Sequence, residues 1–216
     1  MRNRLDEQLQ QLNQGLTEMG ALCEAAIAKA ATALSQGDVE LARSVIREGR
    51  QVDLMEQEIE DRCMKLLLHQ QPVARDLRQI SAALKMITDM ERIGDQAEDI
   101  AEIILSLDGR TLEGMELIRD MAQATISMVT QSVEAYVNQD VALARSVLEQ
   151  DDIVDDFFLR MKGDILNLVA KKPEDGEFAL DLLMIAKYLE RIGDHATNIA
   201  EWVIYGVTGE HKEIQG

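Results

Sequence analysis

Carboxylates one helical turn apart occur twice in this chain, in the same lettering. Glu91-Arg-Ile-Gly-Asp95 returns as Glu190-Arg-Ile-Gly-Asp194, and the match extends from ERIGDQAEDIAE at 91–102 to ERIGDHATNIAE at 190–201. On a helix turning about 100° per residue, Glu91, Asp95, Glu98 and Glu102 fall within about 60° of one another, a single acidic stripe. Ile93, Ala97, Ile100 and Ile104 hold the opposite side, at the spacing of a core-facing helix. Upstream the acidic side is apolar, with Ile80, Leu84 and Ile87 before Glu91. In the second copy Ala179, Leu183 and Ala186 lead into Glu190, Asp194 and Glu201, and the core stripe is Ile185, Ile192, Ala196, Ile199 and Val203.

A second acidic cluster precedes the second copy: Asp151, Asp152, Asp155 and Asp156, two overlapping pairs each one turn apart. The matching stretch of the first half is EGRQVDLMEQEIED. There Asp53 aligns with Asp155, Gly49 stands where Asp151 would be, and Glu56 and Glu60 share roughly the face of Asp53. Two such helices side by side bring four or more carboxylates together. Their repulsion raises pKa values unless a multivalent cation relieves it. An all-oxygen donor set suits Mg²⁺, Ca²⁺, Mn²⁺ or iron better than zinc. His195, beside Asp194, reads as an ordinary surface histidine, with a nitrogen ligand as the alternative.

The motif has a cost in both copies. Like charges at i, i+4 destabilise a helix by a few tenths of a kcal/mol, roughly, per pair. Gly94 and Gly193 each cost about 1 kcal/mol against alanine. A solvated acidic face, with the glycine there for close helix packing, stands as the bland reading beside the functional one.

Composition narrows the classes. Forty acidic against twenty-two basic residues give a formal charge of −18, which argues against nucleic acid or anionic lipid as direct partners and is compatible with cations. Hydrophobic residues make up 46% of the chain, enough for a core, and aromatics only 3%, so Ala, Leu, Ile and Met carry the apolar load as in helical bundles. Cys23 and Cys63 lie among apolar helical residues and read as buried thiols. The polar start MRNRLDEQLQQLN shows no secretory leader, and no apolar run is long enough to span a bilayer. A cytoplasmic protein is expected.

The elements that must position the carboxylates are helices throughout. The periodicity predicts helices over about Leu5–Gln36, Val39–Leu68, Pro72–Leu107, a fourth ending near Asn138, a fifth ending near Ala170, and a sixth ending near Tyr205-Gly206. The first carries Leu5, Leu9, Leu12, Leu16, Met19, Cys23, Ala26, Ile27, Ala30 and Leu34 at heptad-like spacing; the second turns Val45, Val52, Met55, Ile59, Met64 and Leu67 inward. Gly37-Asp38, Gln71-Pro72 and Asp108-Gly109 punctuate the first half; Gln139-Asp140 and Pro173 to Gly176 punctuate the second. Leu-Ala-Arg-Ser-Val occurs at both 41–45 and 143–147, so the second helices match as the third ones do. The expectation is an all-α protein of two tandem, pseudo-symmetric three-helix bundles, residues 1–108 and 109–216, with six long antiparallel helices.

These features together resemble the PhoU family of phosphate-signalling regulators, over nearly the whole chain. The resemblance rests on the doubled Glu91–Asp95 and Glu190–Asp194 motifs, on Asp151-Asp-Ile-Val-Asp155, and on Gln71-Pro-Val-Ala-Arg-Asp-Leu-Arg78 leading into the third helix. It implies multinuclear metal clusters, iron often among them, on the acidic face of each bundle. It also implies a cytoplasmic protein that negatively controls phosphate uptake and the phosphate-starvation response. Its partners would be the phosphate ABC transporter and a membrane sensor histidine kinase, which would bring it to the inner face of the membrane without insertion. A homodimer is compatible with it.

The expected ligands in the second repeat are Asp151, Asp155, Glu190 and Asp194, with Asp152, Asn198 and Glu201 as candidates. In the first they are Asp53, Glu91 and Asp95, with Glu56, Asp99 and Glu102 as candidates. Because Gly49 lacks the acid, the first site is expected to be weaker unless Glu48 or Glu56 compensates, and Gly49→Asp is expected to strengthen it. Two other classes stay open. One is a helical adaptor whose acidic faces stay wet and metal-free. The other is a di-iron carboxylate enzyme, whose Glu-x-x-His pairs are missing: the residue three beyond Glu91 and Glu190 is glycine. No enzyme is expected, and no motif points to phosphate binding by the chain itself.

Overall fold

Each half of the chain starts its second helix with the same device. Gly37 takes a left-handed backbone (φ 65°), and the Asp38 carboxylate accepts the Leu41 backbone N–H at 2.9 Å. In the second half Gln139 (φ 53°) plays the part of Gly37, and Asp140 accepts the backbone N–H groups of Ala142 and Leu143 at 2.9 and 3.0 Å. A left-handed residue ends one helix and an aspartate satisfies the first free N–H groups of the next.

The structure is a computed structural model and describes residues 2–69, 72–111 and 116–210. Its helices are α1 (Arg2–Gln36), α2 (Val39–His69), α3 (Ala74–Ser106), α4 (Glu116–Asn138), α5 (Val141–Lys171) and α6 (Gly176–Thr208), with a 3₁₀ turn at Pro173–Asp175. No strand occurs among the described residues. The longest helices span about 50 Å at 1.5 Å per residue.

Helices α1, α2 and α3 pack against one another, as do α4, α5 and α6. The halves meet through α3 and α6, the most extensive helix pair, and through α1 and α4. One apolar core runs through both bundles, from Leu12 and Leu16 through Met86 and Ile93 to Ile192 and Val203. Cys23 and Cys63 are buried free thiols, as the sequence suggested, and burial pushes each up to about 12. Cys23 Sγ donates to the Met90 carbonyl at 3.3 Å.

Several local expectations shift. Pro72 sits ahead of α3 rather than in its first turn, because extended Val73 (ψ 169°) is the N-cap; Gln71 lies outside the described residues, as do 112–115, where the start of α4 was sought, and 211–216. The inward stripe of α2 continues from Ile59 through Cys63 and Leu66, which leaves Met64 45% exposed. Helix α6 passes through Gly206 and stops at left-handed Gly209 (φ 80°), whose N–H bonds the Tyr205 carbonyl. Gly206 is a packing glycine: a Cβ there would stand 3.3 Å from the Ala82 Cβ of α3. Its missing side chain lets the two central helices close on each other.

Candidate functional site

The glycine inside each doubled motif decides how near its helix comes to the preceding one. A Cβ on Gly94 would lie 3.1 Å from Val52 Cγ1; one on Gly193 would lie 3.4 Å from Val154 Cγ1. Val52 and Val154 are matched residues of α2 and α5, so the contact is the same in both halves. The packing role proposed for the glycine is real, and it is also what brings the carboxylates together.

Across the α2–α3 groove, Asp53, Glu91 and Asp95 each offer an oxygen, and these oxygens lie within 4.8 Å of one another. Glu56 lies beside Glu91, one turn along. Burial, then the neighbouring charges of Glu91, Glu60 and Asp53, raise its pKa; burial, Asp95 and Asp53 raise that of Glu91. Arg92 Nη1 reaches Asp95 Oδ2 at 3.0 Å, and Arg92 Nε stands 3.4 Å from Glu91 Oε2, a partial and exposed neutralisation.

Glu98, on the acidic stripe but not among the expected ligands, feels the charges of Asp53 and Asp95 from outside the trio whose oxygens lie within 4.8 Å of one another. Burial raises it to about 7, with further contributions from Asp53, Asp95, Glu102 and Asp99. Its carboxylate occupies the space beside Gly49, whose missing side chain leaves room for it. The proposed compensator Glu48 is instead ion-paired with Lys29 of α1.

The second half assembles its carboxylates across the α5–α6 groove. Asp151 is raised to about 6 by burial and then by Asp155, Asp194, Asp152 and Glu190. Asp194 is raised by burial and Glu190, while Lys187 acts the other way. Lys187 is ion-paired with Glu190 and lies over the Phe158 ring, 5.4 Å from its centroid. These carboxylates are near enough to raise one another, but among the described residues the close trio of oxygens within 4.8 Å is that of the first repeat, and here an ammonium is paired with Glu190.

Two of the expected candidates turn toward the central α3–α6 seam instead of the grooves. Asn198 donates its side-chain amide to Asp89 Oδ1 at 3.1 Å. Asp99 is hydrogen-bonded by Tyr188 and faces Arg191; burial and Glu102 raise its pKa. His195 is not an ordinary surface histidine: its Nδ1 stands 2.9 Å from Asp89 Oδ1, and its side chain is largely covered. The reason is the wide α3–α6 contact, which covers the flank of the acidic stripe. Glu102 and Asp152 are exposed at the margins, and Glu201 is half-buried.

The donor set answers what could bind. Both grooves hold carboxylate oxygens, and every carboxylate whose pKa is displaced is displaced upward, with burial as its largest cause and neighbouring acids next. Crowded acids raise one another in this way on any acidic face, and an all-oxygen donor set of this kind is of the class that hard cations use.

Comparisons with known proteins match the chain over both repeats. A family model described as the PhoU domain matches residues 16–104 and again 118–203. The chain is 35% identical over 215 residues to the phosphate-specific transport system accessory protein PhoU homolog of Clostridium acetobutylicum, covering 99% of this chain and 98% of that protein. It is 38% identical over 216 residues to the protein of the same name in Aquifex aeolicus, covering 98% of each. The crystal structure of PhoU from Pseudomonas aeruginosa superposes with a TM-score of 0.89 at 33% identity, covering 95% of this chain and 99% of that one. For the phosphate transport system regulatory protein PhoU from Streptococcus pneumoniae the TM-score is 0.87 at 27% identity, covering 97% of this chain and 100% of that one.

Proposed function

The chain belongs to the PhoU family, and from that premise we propose that it is an accessory regulator of a phosphate transport system. It acts by lowering phosphate uptake and the phosphate-starvation response, through the phosphate ABC transporter and its sensor histidine kinase. The carrying observation is that the likeness to the named accessory proteins extends over both repeats and nearly the full length of each chain. Among the described residues no helix is long and apolar enough to cross a membrane. The proposed place is the cytoplasm, at the inner membrane face through these partners. No catalytic role is proposed.

The same reading holds that the two acidic grooves carry hard cations, iron or Mn²⁺ foremost and Mg²⁺ or Ca²⁺ otherwise. Asp53, Glu91 and Asp95, with Glu56 beside them, hold the cation between α2 and α3. Asp151, Asp155, Glu190 and Asp194 do so between α5 and α6. A bound cation neutralises the carboxylates and ties the paired helices together. Arg92 and Lys187 occupy the margins of the grooves and set how much charge is left to bind.

A host lacking its own protein of this family tests the regulatory reading. Expression of this chain should bring down phosphate uptake and a starvation-responsive reporter in phosphate-rich medium. Unchanged uptake and reporter, with the chain present and folded, overturn it. Elemental analysis of purified protein tests the cations separately.

A further inference from the structure

One carboxylate has changed helices between the two repeats. A Cβ built on Gly49 would fall 1.6 Å from Glu98 Oε1, 2.3 Å from its Cδ and 2.9 Å from its Cγ. The Glu98 carboxylate therefore stands where a side chain on residue 49 would begin. In the second repeat the residue matched to Gly49 is Asp151, and the residue matched to Glu98 is Thr197. Thr197 is short and turns its hydroxyl onto its own helix, donating to the Asp194 carbonyl at 2.6 Å. Each repeat thus places one carboxylate at this point of its groove. Gly49 and Glu98 supply it from α3, and Asp151 and Thr197 supply it from α5.

A side chain on residue 49 and the Glu98 carboxylate cannot share that point, and the flexible end of Glu98 is the part that must shift. The Gly94–Val52 and Gly193–Val154 contacts hold the paired helices close in both halves, so a side chain on residue 49 must expel that of Glu98. Gly49 itself is buried. The clash bears on the expectation that Gly49→Asp strengthens the first site, because the added side chain displaces the carboxylate that Glu98 now places there. That substitution exchanges one carboxylate for another.

We propose that Glu98 is a cation ligand of the first repeat, standing in for the acid that Gly49 lacks. This rests on the reading that the acidic grooves bind hard cations. The first repeat then has Asp53, Glu91, Asp95 and Glu98 against Asp151, Asp155, Glu190 and Asp194 in the second, four carboxylates in each.

The test uses the full chain, stripped with chelator, with Mn²⁺ as probe. Binding is followed calorimetrically in a background carrying Asp155→Asn and Asp194→Asn, which silences the second repeat, and circular dichroism checks folding. Glu98→Gln, which keeps the shape and removes the charge, should weaken Mn²⁺ binding by about tenfold or more, the scale of loss seen when groups around a metal are altered. Gly49→Asp with Glu98→Thr transplants the arrangement of the second repeat and should restore binding to within about threefold of the background chain. Unchanged affinity in Glu98→Gln overturns the proposal, as does a double variant that binds no better than Glu98→Gln. If the unaltered chain binds no Mn²⁺ at either groove, the cation reading itself falls, an outcome distinct from insensitivity to Glu98.

Discussion

The two acidic grooves follow one plan and differ at four matched positions that bear on their charge. Gly49 and Glu98 in the first repeat are Asp151 and Thr197 in the second. Glu56 is replaced by Phe158. Thr88 is replaced by Lys187, which pairs with Glu190 and lies over that same Phe158 ring. The first groove gathers Asp53, Glu91 and Asp95 with oxygens within 4.8 Å of one another. The second carries its own ammonium. On the proposal that Glu98 is a ligand, the acid missing from α2 is supplied from α3, because the groove is built from two helices.

The largest test asks whether the repeats are equal where they match. Ile93 and Ile192 are fully buried at equivalent positions of α3 and α6. Ile93→Ala and Ile192→Ala should each cost about 2–5 kcal/mol through lost burial and the cavity left behind. Because the core is continuous across the halves, each variant should still unfold in one transition in denaturant. Two separated transitions would show that the bundles behave as independent units.

Cation removal comes next. A cation that binds only the folded state adds about 2.7 kcal/mol at a hundredfold excess over its dissociation constant. The melting temperature should rise in Mn²⁺ and return in chelator. Asp53→Asn with Asp95→Asn should remove one part of that rise, and Asp155→Asn with Asp194→Asn the other. Identical melting in chelator and Mn²⁺ would leave both grooves as solvated acidic faces.

Acidity sharpens the contrast without any metal. A carboxyl whose folded pKa is raised binds more protons folded than unfolded, so its favourable contribution is full below the unfolded pKa and disappears as pH rises through the folded one. The unfolded values are about 4.3 for glutamate and 3.9 for aspartate. Glu98 at about 7 and Asp151 at about 6 define two windows. The cation-free chain should melt at higher temperature near pH 5 than near pH 8. Glu98→Gln should flatten the upper part of that slope and Asp151→Asn the lower part. Stability rising with pH over the same range would refute the assignment.

The smallest effect concerns Lys187. Lys187→Thr gives the second repeat the residue that the first has at Thr88, and removes a partly exposed ion pair. Such pairs contribute about 0–1 kcal/mol. Mn²⁺ affinity at the second groove should rise by no more than about fivefold, with little change in melting temperature of the cation-free chain. A fall in affinity would mean that Lys187 positions Glu190 for binding.

The helices and the core were legible because periodicity reports which side of a helix faces inward. Ile93, Ala97, Ile100 and Ile104, and Ile192, Ala196, Ile199 and Val203, are all buried as their spacing required. Harder to read were residues whose role depends on a neighbouring helix. Gly206 looks like a helix stop in one dimension and is a packing residue against Ala82. Asn198 and His195 sit on or beside the acidic stripe and are drawn to Asp89 by the α3–α6 seam. Glu98 stood on the predicted stripe, and only its place beside Gly49 makes it the substitute for the acid of the second helix.

The sequence by itself determined the doubled unit, the six helices, their inward faces and the two acidic stripes. All of these follow from local spacing, since a helix turns by a constant angle per residue. Tertiary packing alone decided which carboxylates meet. The separation and register of paired helices are set where Gly94 lies on Val52 and Gly193 on Val154, contacts between residues far apart in the chain. A shift of one turn along α2 would have placed Glu98 against a different side chain and left Gly49 unfilled.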